Sequence, residues 1–218
     1  MSTQLPLFPL RIVLFPHALL PLHIFEPRYR QLLADLGDLP AERRLFGILP
    51  PGDITELPEP GTVGCAARLR GAQRLPDGRA NVVVSGERRF FFRAATSAPT
   101  PYHQGLVDWF DDESDIQIPS EAETVLLHHL GERYVRAQHA LQDRAIEVDL
   151  PREAPALSFA IAAFLDWDLG ALQHFLEIRS ASVRVTRLLA ALPTLVASAE
   201  ARAATHTRAQ SNGHGSLA

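Results

Sequence analysis

The sequence predicts an α+β protein in which a barrel of short strands is followed by a bundle of helices. Residues 1–110 hold six or seven short apolar runs between proline- and glycine-containing turns, a pattern typical of a closed or half-closed barrel. From residue 119 the apolar residues recur with helical spacing. We therefore expect a barrel over 1–118, a helical part over 119–204 and a polar, disordered tail over 205–218.

The first half reads as extended segments with one helix between them. Prolines interrupt the first two segments, which suits edge strands because proline cannot donate to a ladder. Pro27 is placed to begin a helix that runs to about Leu36, with Glu26 at or just before its cap and Phe25 packed beneath. The expected strands are 4–13, 18–25, 45–49, 61–75, 81–85, 88–94 and 102–110.

The second half begins with a recognisable helix start. Ser120 and Glu123 have the spacing of a capping box, and the helix they open is expected to reach about Arg144. Further helices are expected over 155–165, after Asp168 and after Ser180 or Ser182. Pro193 should kink or split the last of them.

Composition excludes several chemistries for this chain. All 21 basic residues are arginine, so the chain offers no lysine for a Schiff base, a phosphate-binding loop or a Ser–Lys dyad. The single cysteine, Cys65, lies in an alternating strand and is expected to be a buried structural thiol, which fits a reducing cytoplasm. The nine histidines lack metal-ligand spacing, and no nucleophile or nucleotide motif occurs. We expect no catalytic residues, metal or cofactor, and no membrane segment, since a bilayer needs about 20 apolar residues in a row.

Two charged groups have alternative interpretations. The acidic residues between Asp108 and Asp115 are a candidate Mg²⁺ or Ca²⁺ site, but the spacing of an EF-hand is absent and a solvated linker is favoured, which is also placed to partner arginines of the barrel. Arginines on the predicted strands form a candidate basic face that would hold single-stranded RNA, although an outward-facing polar row is favoured. These candidates are Arg68, Arg70, Arg74, Arg88 and Arg89.

The N-terminal segment, with Phe25-Glu26-Pro27-Arg28-Tyr29, resembles the amino-terminal (LON) domain of ATP-dependent Lon proteases and its stand-alone relatives. The resemblance covers about residues 3–200. It continues through Gly61-Thr62-Val63-Gly64, Leu75-Pro76-Asp77-Gly78-Arg79, Val84-Ser85-Gly86-Glu87-Arg88-Arg89-Phe90 and the helices at 172–178 and 183–192.

This resemblance implies a PUA-like pseudo-barrel followed by a helical bundle, the part of Lon that recognises substrates and is not catalytic. We expect a non-enzymatic module that binds unfolded or extended polypeptides, alone or with a protease or chaperone system. RNA binding through the PUA-like barrel is the less favoured alternative. A groove at the junction of barrel and helices is the expected peptide site. Its candidate residues are His23, Phe25, Glu26, Arg28, Tyr29 and Trp109.

Overall fold

The computed structural model describes residues 2–53, 56–115, 117–143 and 148–213. Contacts within the chain group into two compact units. The first, here the barrel unit, comprises residues 1–112 and 167–177, and the second, the helical unit, comprises 113–166 and 178–218. The predicted α+β class is confirmed, since a six-stranded sheet and several helices are present.

The sheet of the barrel unit closes on itself. Its strand order is β2-β5-β4-β3-β1-β6, and β6 also pairs with β5, so five strands form a ring and β2 lies outside it. Among the strands of the described residues, β1 and β3 pair in parallel and the other pairs are antiparallel. The strands are β1 (Thr3–Pro9), β2 (Leu19–Ile24), β3 (Leu45–Leu49), β4 (Val63–Arg74), β5 (Ala80–Thr96) and β6 (Gln104–Trp109).

Strand β5 is one strand of 17 residues where the sequence predicted two. Its first half pairs with β2 and its second half with β6, so the same edge serves two partners in turn. Gly86 lies at this change of partner, and a Cβ there would collide with the carbonyl oxygen of Phe15. Glycine is therefore needed here because another part of the backbone passes close by. It does not mark the end of one strand and the start of another.

The interior of the barrel unit holds two apolar clusters. The first surrounds Tyr29, Leu32 and Phe46 and packs helix α1 (Pro27–Gly37) against the strands. The second surrounds Leu7, Phe90 and Phe92. A 3₁₀ turn (Ala41–Arg43) leads from α1 to β3.

Helix α4 (Leu169–Glu177) belongs to the barrel unit, although the sequence division at residue 118 placed it with the helices. The side chain of Gln173 donates to the backbone oxygen of Val63 on β4 at 2.9 Å. Phe175 is buried and meets the ring of Phe15 edge-on at 6.1 Å. These contacts join residues far apart in the chain, so local sequence patterns do not predict them.

The helical unit contains α2 (Glu121–Ala140), α3 (Ala154–Ala162) and α5 (Ala181–Gly213). The capping box is confirmed: Ser120 Oγ accepts from the Glu123 N–H at 3.2 Å, and the Glu123 carboxylate accepts from the Ser120 N–H at 2.8 Å. Helix α2 was expected to end at about Arg144, but it ends at Ala140. Residues 144–147 lie outside the described part. Helix α5 packs against α2 and α3, and Leu188 and Leu192 are among its buried residues.

Two expectations about the C-terminus are corrected. Helix α5 is continuous through Pro193, so proline does not split it. The helix also extends to Gly213, whereas disorder was expected from residue 205. The alanine-rich run 199–204 favours helix, and the hydroxyls of Thr205 and Thr207 donate to carbonyls one turn back. Residues 214–218 of the expected tail lie outside the described part.

No helix in the described ranges has the length and apolar character needed to span a bilayer.

Candidate functional site

The turn from β2 into α1 brings most of the predicted peptide-site residues together. Glu26 is the N-cap residue and Pro27 occupies the first turn, where its missing N–H is no loss. Arg28 Nε donates to the Glu26 carboxylate at 3.0 Å, and the guanidinium lies 4.7 Å from the centre of the Tyr29 ring. Charge and aromatic surface are therefore combined at one short segment.

A carboxylate that the sequence argument missed completes this cluster. Glu56 accepts from both Arg28 and His103, the latter at 2.5 Å. These hydrogen bonds, with the Arg28 bond the stronger influence, hold the pKa of the Glu56 carboxyl below its usual value. Glu56 is about 30 residues from Arg28 and 47 from His103, so no local motif marks it.

Tyr29 is a core residue. It is 3% exposed, and its ring stacks on Phe8 with centroids 3.8 Å apart. Burial raises the pKa of the Tyr29 hydroxyl to about 12. Tyr29 therefore supports the site from below and offers little surface to a ligand.

Phe25 contradicts the expectation that it packs beneath the helix. Its side chain is 61% exposed. The ring lies beside that of His23, with centroids 6.4 Å apart, and His23 Nδ1 donates to the side-chain oxygen of Asn81 at 2.7 Å. The reason is register: Ile24 takes the buried position at the end of β2, and alternation turns Phe25 outward.

Trp109 belongs to a different part of the barrel unit. It lies on β6, where its indole N–H donates to Thr3 Oγ1 at 3.0 Å and its ring meets Phe90 edge-on. It packs against the second apolar cluster, whereas Tyr29 is part of the first. Five of the six predicted residues are thus adjacent in the structure, and Trp109 is apart from them.

Strand β2 lies at an edge of the sheet and exposes every second side chain. We call this region the β2 edge; it comprises Leu19, Pro21 and His23 on the strand and Phe25 directly after it. Leu19 is 69% exposed, and Val83, opposite Pro21 on β5, is 40% exposed. In the described part of the chain β2 pairs with β5 alone. The outer face of β2, β5 and β4 forms an open depression of about 600 Å³ beside it.

Carboxylates engage most of the arginines predicted to bind RNA. Arg68 and Arg70 share Glu87, at 2.9 Å each. Arg88 pairs with Asp111, and the 3%-exposed Arg89 pairs with Asp112. The expectation that acidic residues near 108–115 partner barrel arginines is confirmed. Arg74 is exposed and has no ion pair within the described ranges. RNA binding stays a prediction that these pairs make less favourable.

The described residues offer little support for a catalytic site or a metal site. Cys65 is 1% exposed, and burial raises the pKa of its thiol to about 12, which makes the thiolate scarce. Among the residues that the structure covers, no three His, Cys, Asp or Glu side chains are grouped to hold a metal ion.

Comparison with known proteins agrees with this fold. The chain is 30% identical over 197 residues to Lon protease 2 of Herpetosiphon aurantiacus, covering 86% of this chain and 23% of that protein. It is 28% identical over 196 residues to the Lon protease of Xanthomonas oryzae pv. oryzae, covering 85% and 22%. The chain thus spans about a quarter of the length of these relatives.

Solved structures give the same result. A Lon N-terminal domain protein from Xanthomonas campestris aligns with a TM-score of 0.65 and 28% identity, over 88% of this chain and 99% of that one. The N-terminal domain of the Mycobacterium avium complex Lon protease aligns at 0.63 with 16% identity, over 89% and 98%, a likeness of fold alone.

The resemblance seen in the sequence is therefore confirmed, and the homology supports a role in substrate recognition. Residues 4–193 match the model of the ATP-dependent protease La (LON) substrate-binding domain, and the chain belongs to that family.

Proposed function

We propose that this protein is a non-catalytic recognition module that binds an extended polypeptide by adding it as a strand to the β2 edge. The observation that carries the proposal is an edge strand with a large exposed apolar side chain at its first residue, Leu19, and another directly after its last residue, Phe25. Backbone groups of such a strand supply affinity for a peptide, and side-chain pockets supply specificity.

The neighbouring residues support this placement. Pro21 has no N–H, so strand addition depends on the backbone groups on either side of it. Val83 and the depression beside β2 offer apolar surface to alternate side chains of a bound strand. Single exposed apolar residues are common on soluble proteins, but here several share one edge.

Peptide binding measured by fluorescence anisotropy tests the proposal. The probe is a labelled decapeptide that alternates Val and Thr. The doubly substituted variant Leu19→Ser with Phe25→Ser should bind it at least tenfold more weakly. The matched control is Val125→Ser, which changes an exposed valine (62%) on the helical unit and should leave affinity unchanged.

A modified peptide tests the mode of binding separately. N-methylation of alternate residues removes backbone donors and keeps the side chains, so one of the two methylated patterns should lose binding. Equal affinity for both patterns would contradict strand addition. Equal affinity of the Leu19/Phe25 variant and the control would contradict the location.

A further inference from the structure

A second concave site lies on the barrel unit, between α1 and the β4–β5 hairpin. It is a cavity of about 420 Å³, a size that suits a small ligand. We call it the arginine pocket. Its four basic lining residues are Arg30, Arg44, Arg70 and Arg74, and no carboxylate lines it among the described residues.

The four guanidinium groups are not equally occupied. Arg44 donates to the carbonyls of Leu39 and Gly37 at the end of α1, at 2.8 and 3.1 Å. Arg70 donates to Ser85 and to Glu87. These two therefore have partners that hold them in place and, for Arg70, reduce the charge.

Arg30 and Arg74 have hydrogen-bond donors that are not used within the described part of the chain. Arg30 Nε is buried and has no hydrogen-bond partner among the residues that the structure describes, and Nη1 donates to the Asp77 carbonyl at 3.5 Å. Arg74 is exposed, and no hydrogen bond or ion pair of its side chain occurs within the described ranges. A buried donor without a partner is rare in native proteins, and it leaves hydrogen-bonding capacity of the Arg30 guanidinium unused.

The turn of the β4–β5 hairpin lies close to the Arg30 head group. Gly78 has a φ of +82°, and a Cβ there would lie 2.7 Å from Arg30 Nη1. A side chain at this position would displace the flexible end of Arg30, and the positive φ itself favours glycine. The turn thus allows Arg30 to lie against the wall of the cavity.

Between the arginines the wall is apolar. Leu33 and Ala34 of α1 face Leu69, Ala72 and Ala80 of the hairpin strands. A bare inorganic anion would leave this surface without a partner. An apolar body attached to the anionic group would cover it and gain hydrophobic stabilisation.

We propose that the arginine pocket binds a small organic anion whose carboxylate or phosphate oxygens accept from Arg30 and Arg74 and whose apolar body lies against Leu33 and Leu69. Guanidinium groups bind both oxyanions by paired hydrogen bonds, so the geometry specifies the charge and the apolar part. The pocket shares Gly71 and Ala72 with the depression beside the β2 edge, but neither Leu19 nor Phe25 lines it.

Calorimetry with four probes tests the proposal at concentrations below micelle formation: octanoate, n-octyl phosphate, octanol and inorganic phosphate. Octanoate or octyl phosphate should bind at one site per chain, and octanol and inorganic phosphate at least tenfold more weakly. Whichever of the first two binds more tightly identifies the preferred head group.

Variants and spectra locate the site. The double variant Arg30→Gln/Arg74→Gln should lose at least tenfold in affinity, whereas Arg11→Gln/Arg43→Gln should not. Both control residues are exposed, as Arg74 is, and lie in the same unit, and their substitution removes the same charge. Methyl resonances of Leu33 and Leu69 should shift when the tighter-binding octyl anion is added.

Three results would overturn the proposal. One is octanol binding as tightly as the octyl anions, which would leave the arginines no role. Another is an equal loss in both double variants, the mark of bulk charge. The third is that the Arg30/Arg74 variant loses affinity for a single-stranded RNA 12-mer and not for the octyl anions, which would assign these arginines to the RNA alternative. Peptide binding at the β2 edge is measured separately and should persist in both double variants.

Discussion

Arg89 on β5 donates through Nη1 to the backbone oxygen of Leu176, at the end of α4, over 2.8 Å. The two residues are 87 positions apart in the chain. The same guanidinium pairs with Asp112 and lies 4.6 Å from the centre of the Phe110 ring. One buried side chain thus fastens α4 and the chain after β6 to the middle of the barrel unit.

Replacing this arginine should destabilise the barrel unit strongly. Arg89→Met removes the buried guanidinium from the partly buried Asp112 carboxylate, and breaking such a pair costs about 3–5 kcal/mol of the free energy of unfolding. Urea denaturation measures the loss. Arg88→Met is the matched control, because its neighbouring pair with Asp111 is exposed and worth about 0–1 kcal/mol. Similar losses in the two variants would contradict a special role for Arg89.

Local signals explain the parts of the fold that the sequence predicts well. The capping box of Ser120 and Glu123 and the Glu26–Pro27 start of α1 depend on residues within one turn, and both are found. The turn at Gly78 is equally local, since it needs a residue that tolerates positive φ. Each of these features can be read from neighbouring residues without knowledge of the tertiary fold.

Long-range contacts explain what the sequence does not predict. The position of α4 in the barrel unit rests on contacts between distant residues, among them the Arg89–Leu176 hydrogen bond. In the candidate site, Glu56 joins Arg28 to His103 across the chain, and Trp109 lies with another core cluster. Ion pairing also determines which arginines keep donors available for a ligand. Nothing in the sequence distinguishes among the five arginines of the predicted basic face.

The thiol of Cys65 should be nearly inert in the folded protein. Burial raises its pKa to about 12, so little thiolate exists at pH 8. The side chain is also only 1% exposed, which denies access to a thiol reagent in solution. Reaction with 5,5′-dithiobis(2-nitrobenzoate) should be at least a hundredfold slower in buffer than in 6 M guanidinium chloride. A native rate close to the denatured rate would contradict this burial.

Glu87 should give the barrel unit an acid-dependent contribution to stability. Burial would raise the pKa of its carboxyl, but hydrogen bonds from Arg68 and Ser85 outweigh burial and lower it. A lowered pKa in the folded state means that the stabilisation is complete above the ordinary glutamate pKa of about 4.3 and is lost as pH falls through the folded value.

Glu87→Gln should therefore lower the free energy of unfolding by about 1–3 kcal/mol at pH 7, and its deficit should shrink as pH falls from 5 to 3. Urea denaturation across that range checks the sign. Glu59→Gln changes an exposed carboxylate that has no side-chain hydrogen bond or ion pair among the described residues and serves as the control. A deficit that is constant or grows toward pH 3 would contradict the role of Glu87.

Arg184 should be as important to the helical unit as Arg89 is to the barrel unit. It is 0% exposed, donates at 2.9 Å to Ser158 Oγ and to the Ile178 carbonyl, and lies 4.0 Å from the centre of the Phe159 ring. Ser158→Ala removes an acceptor from a buried charge and should cost about 1–3 kcal/mol.

Arg184→Met removes the charge together with its donors, and we expect a loss of about 2–5 kcal/mol because two buried oxygen acceptors each lose a charged donor, at about 1–3 kcal/mol apiece. Arg187→Met, on the exposed side of the same helix, should change the free energy of unfolding by less than about 0.5 kcal/mol. Circular dichroism during urea denaturation measures all three variants. If Arg184→Met is as stable as Arg187→Met, methionine packing fully replaces the guanidinium, and the buried hydrogen bonds contribute nothing net to the helical unit.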